Sequence, residues 1–182
     1  MRQVEITGLG VEDSTLTPVV VLREQEAPHR MLPIFVGGPE ALAIGLALTG
    51  ETPPRPLTHD LMADVIQSLH WRVDSAEVTE LRDGAFIAEL AISGPAGGRR
   101  LDTRPSDAIA LALRLHAPLF VSDAVLDEAG MIPDDIEPGV DADAIDEQVA
   151  DFASKLDQLD PAHFADDSGE RPGPDDRDGP GA

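Results

Sequence analysis

Cysteine and tyrosine are absent from this 182-residue chain, and tryptophan and lysine occur once each, as Trp71 and Lys155. Without cysteine there is no disulfide, no thiolate metal site and no cysteine nucleophile, which is compatible with a reducing compartment. The scarcity of aromatics argues against base stacking of the kind RNA-binding sheets use. Long hydrophobic runs are missing too. The longest, around Ala41 to Leu48, falls well short of the roughly 20 residues needed to span a bilayer. The N-terminal Met1-Arg2-Gln3-Val4-Glu5 lacks the charged-then-apolar pattern of a secretion signal. There is no Gly-x-Ser-x-Gly and no His-x3-His spacing, and Gly37-Gly38-Pro39 lacks the Lys and Ser/Thr of a phosphate-binding Walker loop. The expectation is a soluble, cytoplasmic protein without a membrane partner.

Acidic side chains are what the sequence has in excess, with a formal net charge of −22. From Asp123 to the end there are 19 acids and three bases, whereas residues 1–122 hold 16 acids and ten bases. Nucleic-acid affinity draws heavily on Lys and Arg neutralising phosphates. This balance argues against tight, unassisted binding to DNA or RNA; such binding requires a local basic site or a bridging metal ion. The asymmetry also divides the chain. Residues 1–132 are enough for one hydrophobic core. Residues 133–160 read as an acidic linker with a candidate helix, in which Ile145, Val149, Phe152, Leu156 and Leu159 recur at three- and four-residue spacing. Residues 161–182, rich in Asp, Gly and Pro, cannot build a core and read as a disordered tail.

Within 1–132, strands are expected at Val4–Leu9, Leu16–Leu22 and Met31–Val36, joined by short polar loops into an antiparallel meander. Pro18 and Pro33 each remove a ladder donor, so both strands are expected at edges or bulges. Pro39 at a first turn and Gly50 at the end bracket a short helix over Glu40–Leu48. Thr58–Leu69 is a second helix, with Leu61, Val65, Ile66 and Leu69 on one face. Trp71–Leu81 and Ala85–Ile92 flank the turn Arg82-Asp83-Gly84 as a hairpin, with a short strand at Arg99–Asp102. A third helix spans Pro105–His116, Leu119–Val121 is a short buried strand, and Ser122 caps a last turn over Asp123–Ala129. The fold class is α+β: a mostly antiparallel sheet with three to four helices, and an acidic C-terminal tail.

Two segments concentrate reactive side chains at helix starts: Pro54-Arg55-Pro56-Leu57-Thr58-His59-Asp60 and Asp102-Thr103-Arg104-Pro105-Ser106-Asp107. Helix N-termini offer free N–H groups and a positive dipole end, which suit an anion. Arg55 and Arg104 can clamp a phosphate, with Thr58 and Ser106 beside them. Asp60, Asp102 and Asp107, with Glu40 at the first helix, supply hard oxygen ligands that suit Mg²⁺ or Mn²⁺. His59 can act as general base with Asp60 and Asp107 as catalytic carboxylates. A structural account covers the same residues. Thr58 is a good N-cap, Asp60 and Asp107 offset helix dipoles, and Asp102 can pair with Arg104, with no chemistry implied.

Three stretches together carry a resemblance: Arg55-Pro56-Leu57-Thr58-His59-Asp60, Asp83-Gly84-Ala85-Phe86-Ile87-Ala88, and Asp102-Thr103-Arg104-Pro105-Ser106-Asp107-Ala108-Ile109-Ala110-Leu111-Ala112. With Pro39-Glu40-Ala41 and Ala117-Pro118-Leu119-Phe120-Val121, they resemble, in order and spacing, the motif series of the bifunctional nuclease domain over about residues 1–130. The resemblance implies an α+β domain, a homo-oligomer (dimer or higher), and nuclease activity on both DNA and RNA. Glu40, Thr58, His59, Asp60, Asp102, Arg104, Ser106 and Asp107 match its motif positions. The expected function is therefore phosphodiester hydrolysis of nucleic acid, assisted by a divalent metal. The alternative is a non-catalytic, anion-binding regulatory module.

Overall fold

In a computed structural model the chain is described over residues 1–12 and 15–132. The candidate helix within 133–160 and the tail 161–182 lie outside the described residues. The chain opens with a meander of three antiparallel strands, β1 (Arg2–Glu12), β2 (Thr17–Glu24) and β3 (Met31–Phe35). Helices α1 (Gly38–Thr49) and α2 (Thr58–Ser68) follow. A second meander comprises β4 (Arg72–Arg82), β5 (Ala85–Gly94) and β6 (Gly97–Thr103). Helix α3 (Pro105–Leu115), the short strand β7 (Leu119–Val121) and helix α4 (Asp123–Ala129) complete the order.

The strands form one seven-stranded sheet in the order β3-β2-β1-β7-β4-β5-β6. Three residues of β7 join the two meanders. Leu119 pairs with Val4 on antiparallel β1 and with Ala76 on parallel β4. This is the sheet's parallel contact, and it requires the crossover through α3. Of the two proline-bearing strands, β3 is an edge strand as expected, but β2 lies inside the sheet between β3 and β1. Pro18 is tolerated there because it sits beyond the β3 ladder, which begins at Val19↔Phe35. β1 extends further than its alternation suggested, through Glu12.

Helix α3 is the buried hub. Ala108, Ile109, Ala110, Leu111 and Ala112 are all buried, and α1 and α2 both pack against it. Small residues at 108, 110 and 112 let neighbouring helices approach closely. Ile109 and Leu111 join Leu22, Leu32 and Ile44 among the fully buried side chains. α2 begins one residue earlier than capping logic proposed. Leu57 is the N-cap and Thr58 is already helical, while the Leu57 N–H donates to the Asp60 carboxylate at 2.7 Å. No helix among the described residues is long and apolar enough to cross a membrane.

One carboxylate, Glu24, is completely buried at the end of β2. Arg30 reaches it with Nε at 3.1 Å and Nη2 at 3.2 Å. Those hydrogen bonds outweigh burial and hold the Glu24 carboxyl below its ordinary range.

Candidate functional site

The N-terminal turns of α1, α2 and α3 meet, and one line of polar side chains connects them. Glu40 comes from the first turn of α1, His59 from the first turn of α2, and Arg104 and Asp107 from the N-cap and first turn of α3. Arg104 Nη2 donates to Glu40 Oε1 at 2.5 Å and to Asp107 Oδ1 at 3.1 Å, and its Nε donates to Asp107 Oδ2 at 2.8 Å. The His59 Nε2 is 3.0 Å from Asp107 Oδ1. Glu40 and Arg104, 64 positions apart in sequence, thus touch directly, and the same guanidinium links Glu40 to Asp107. Pro39 and Pro105 start their helices in the same way; φ is preset and no donor is lost at a position that lacks a partner.

Burial pushes the Asp107 carboxyl upward, but hydrogen bonds from Arg104 and His59 outweigh it and hold the group below its ordinary value. The two carboxylates raise the already high pKa of Arg104. His59 is nearly buried, its side chain 11% exposed, whereas that of Arg104 is 67% exposed. Arg104 is therefore the group that solvent or a ligand meets first. Its Nη1 makes no hydrogen bond among the described residues.

A second line runs behind the first. Arg114, one helical face further along α3, donates from Nε to Asp60 Oδ1 at 2.5 Å and from Nη1 to the carbonyls of Ala43 (2.9 Å) and Ala110 (3.0 Å). Burial raises and Arg114 and the Leu57 N–H lower the Asp60 pKa, with a net lowering. Arg114 was not singled out from the sequence; a lone charge in the last turn of an otherwise apolar helix was the available signal.

The expected site residues therefore separate into groups. Glu40, His59, Arg104 and Asp107 are joined, and Asp60 is engaged by Arg114. Thr58 is exposed and Ser106 buried, each at the start of its helix. Arg55 is exposed and has no ion pair among the described residues. Asp102 stands exposed on β6, opposite Glu89, and makes no ion pair with Arg104. Among the described residues no group of three His, Asp or Glu side chains is placed to hold a metal ion. The donor set envisaged for Mg²⁺ or Mn²⁺ does not fit as it stands, because arginine already holds Glu40, Asp60 and Asp107 and because Asp102 is elsewhere.

The sequence pattern of the bifunctional nuclease domain matches residues 20–134, which include every residue of this cluster. The chain belongs to the bifunctional nuclease domain family. Among relatives, the uncharacterized protein Rv1829 of Mycobacterium tuberculosis strain H37Rv is 38% identical over 165 residues, covering 90% of this chain and 98% of the relative. Bifunctional nuclease 1 of Arabidopsis thaliana is 26% identical over 117 residues, 63% of this chain and 36% of the plant protein. Bifunctional nuclease 2 of Oryza sativa subsp. japonica aligns at the same 26% over 117 residues. The family resemblance to the plant nucleases is thus carried by the domain, which makes up about a third of their length.

Proposed function

We propose that this family member cleaves phosphodiester bonds in nucleic acid, with His59 as general base. The observation that supports the reading is the 3.0 Å contact between His59 Nε2 and Asp107, whose carboxylate Arg104 fixes in turn. If Nε2–H donates to Asp107, the ring's Nδ1 is left as the acceptor, the arrangement a general base requires. His59 takes a proton from the attacking hydroxyl or water, the new P–O bond forms as the P–O bond to the leaving oxygen breaks, and the leaving oxygen takes a proton from solvent. Arg104 Nη1 meets the phosphate, assisted by Arg55 and by the hydroxyls of Thr58 and Ser106 at two helix starts. A divalent ion, Mg²⁺ or Mn²⁺, has to compete with Arg104 for Glu40 and Asp107. Comparing EDTA with added metal decides whether it takes part.

The test is cleavage of labelled single-stranded RNA and DNA by purified protein. Removing a positioned base lowers the rate by roughly 10²–10⁴-fold, so His59→Ala and Asp107→Asn are expected to fall by that order. Cleavage at the wild-type rate in both variants, at equal purity, removes the proposed site.

A specific observation also favours a second reading, an anion-binding module without turnover. Eight of the ten arginines in residues 1–132 are ion-paired, so little free positive charge remains for a polyanion. Phosphate-dependent stabilisation that is lost in Arg104→Ala, without cleavage, supports it. We further infer a cytoplasmic homo-oligomer. The support for self-association is the α2 stripe Leu61, Met62, Val65 and Leu69, exposed by 44–60%.

A further inference from the structure

A protein poor in free cations needs a local basic site to hold a nucleic acid, and one position offers it. Among the described residues only Arg55 and Arg99 lack a carboxylate partner. Arg55 lies just before the His59 end of α2. The guanidinium of Arg99 lies 6.0 Å from the ring centroid of Trp71, the chain's single tryptophan. Trp71 is half-buried and lines a wide, open surface depression of about 500 Å³ with Gln67, His70, Arg72, Ser93 and Gly94, at the opposite end of α2 from His59.

The depression is built around the ring. A Cβ at Gly94 would stand 2.4 Å from Trp71 Cδ2, so only glycine lets β5 approach it. Gly94 has no left-handed backbone to explain it, and the requirement is the close contact itself. Arg72 is fixed by hydrogen bonds to Asp74 at 2.6 Å and Ser93 at 2.9 Å, yet its side chain is 78% exposed. Gly94 packs against one face of the ring, and the exposed Arg99 guanidinium stands over the ring at 6.0 Å, so a planar ligand takes the outward face beside Arg99 or in its place. With exposed Arg72 and His70 at the rim and Asp74 already satisfied, the site suits a ligand that is planar and anionic at once. A nucleotide unit has that chemistry: the base stacks on the ring and arginine meets the phosphate.

We propose that the Trp71 depression, with Arg99 beside it, is a subsite for single-stranded nucleic acid, remote from the His59–Asp107 cluster. It takes its ligand class from the nuclease reading above. Helix α2 has 11 residues and is about 16 Å long at 1.5 Å per residue. A strand engaged at Trp71 therefore needs only a few nucleotides to reach His59. Bases in a duplex stack on one another and are withheld from the ring, so the subsite selects unpaired strand.

Trp71 is its own probe. In EDTA, titration of the full chain with a 12-nucleotide oligothymidylate or oligouridylate is expected to quench Trp71 emission saturably. Raising the salt weakens the binding. Arg99→Ala, an exposed change that leaves the core intact, is expected to raise the dissociation constant about tenfold, a typical loss for one cation or stacking contact. Trp71→Phe keeps a ring and is expected to retain binding measured by oligonucleotide anisotropy, whereas Trp71→Ala loses it. No quenching, quenching unaffected by Arg99→Ala, equal response to a blunt duplex, or equal response to a mononucleotide each overturns the proposal. The nuclease reading is judged separately. Cleavage that persists without Trp71 quenching sinks the subsite alone, and quenching without cleavage sinks catalysis alone.

Discussion

At the scale of single residues, paired arginines in this protein differ in what they hold. Arg30 serves a carboxylate with no exposure at all, and its own side chain is 13% exposed. Arg30→Ala leaves the buried Glu24 with only Arg2, 3.6 Å away, as a cationic partner, and the loss of its main partner is expected to cost up to about 3–5 kcal/mol by analogy with other broken buried pairs. The Tm is expected to fall steeply, and a drop of only a degree or two would contradict the role given to this pair. Arg104, two-thirds exposed, is worth roughly 0–1 kcal/mol to the fold. Arg104→Ala is therefore expected to unfold almost as wild type while losing its response to phosphate. The pair of variants separates structure from function in one thermal-shift experiment. The structural account of the sequence offered Asp102 as an ion-pair partner for Arg104, and the structure does not form that pair. The helix turn brings Asp107 back under Arg104 instead, while the strand carries Asp102 outward to face Glu89.

At the scale of elements, α3 is the piece the others are arranged around. Leu111 is fully buried in it, and Leu111→Ala is expected to destabilise by about 2–5 kcal/mol through lost burial and the cavity left behind. Chemical denaturation with an unchanged slope checks this. Arg114 extends the same helix's hold to its neighbours by bonding Asp60 of α2 and the Ala43 carbonyl of α1. On α2 the opposite holds. Val65 is 47% exposed, so Val65→Asp is expected to change stability by less than about 1 kcal/mol. It should nonetheless shift the protein toward monomer in sedimentation or size exclusion; an unchanged assembly state would exclude this face. Helical spacing in the sequence put Leu61, Val65, Ile66 and Leu69 on one face; the structure packs Ile66 against the core and leaves the other three exposed, with Met62 beside them. Periodicity marks a face as apolar without saying whether the fold covers it.

At the scale of the whole molecule, acid stability follows from the lowered carboxyls. Glu24, Asp60 and Asp107 all have folded pKa values below their ordinary ones. Their contribution is fully present above the unfolded values, about 4, and is lost as pH falls through the folded values. The Tm is expected to be insensitive to these groups from about pH 5 upward and to decline below about pH 4. A decline that begins near neutrality would assign the pH dependence to other groups. Asp123, held down to about 2 by the N-terminal ammonium and Arg2, should stay ionised well below the ordinary carboxyl range. Its carboxyl resonance provides that measurement.

The sequence by itself determined the kinds and order of the elements within residues 1–132, because alternation, helical spacing, prolines at first turns and Gly50 at a helix end are local physics. It also determined the motif series that marks the family, and the charge asymmetry between domain and tail. Tertiary structure alone decided the sheet order, in which three residues of β7 fasten two meanders that are each complete without it. It alone brought Glu40 and Asp107 to one guanidinium and His59 to Asp107, set Asp60 aside for Arg114, and put the lone tryptophan beside Arg99. These contacts join residues from different elements. Local pattern fixes which face of each helix or strand a side chain lies on, but only packing of those faces fixes what stands opposite.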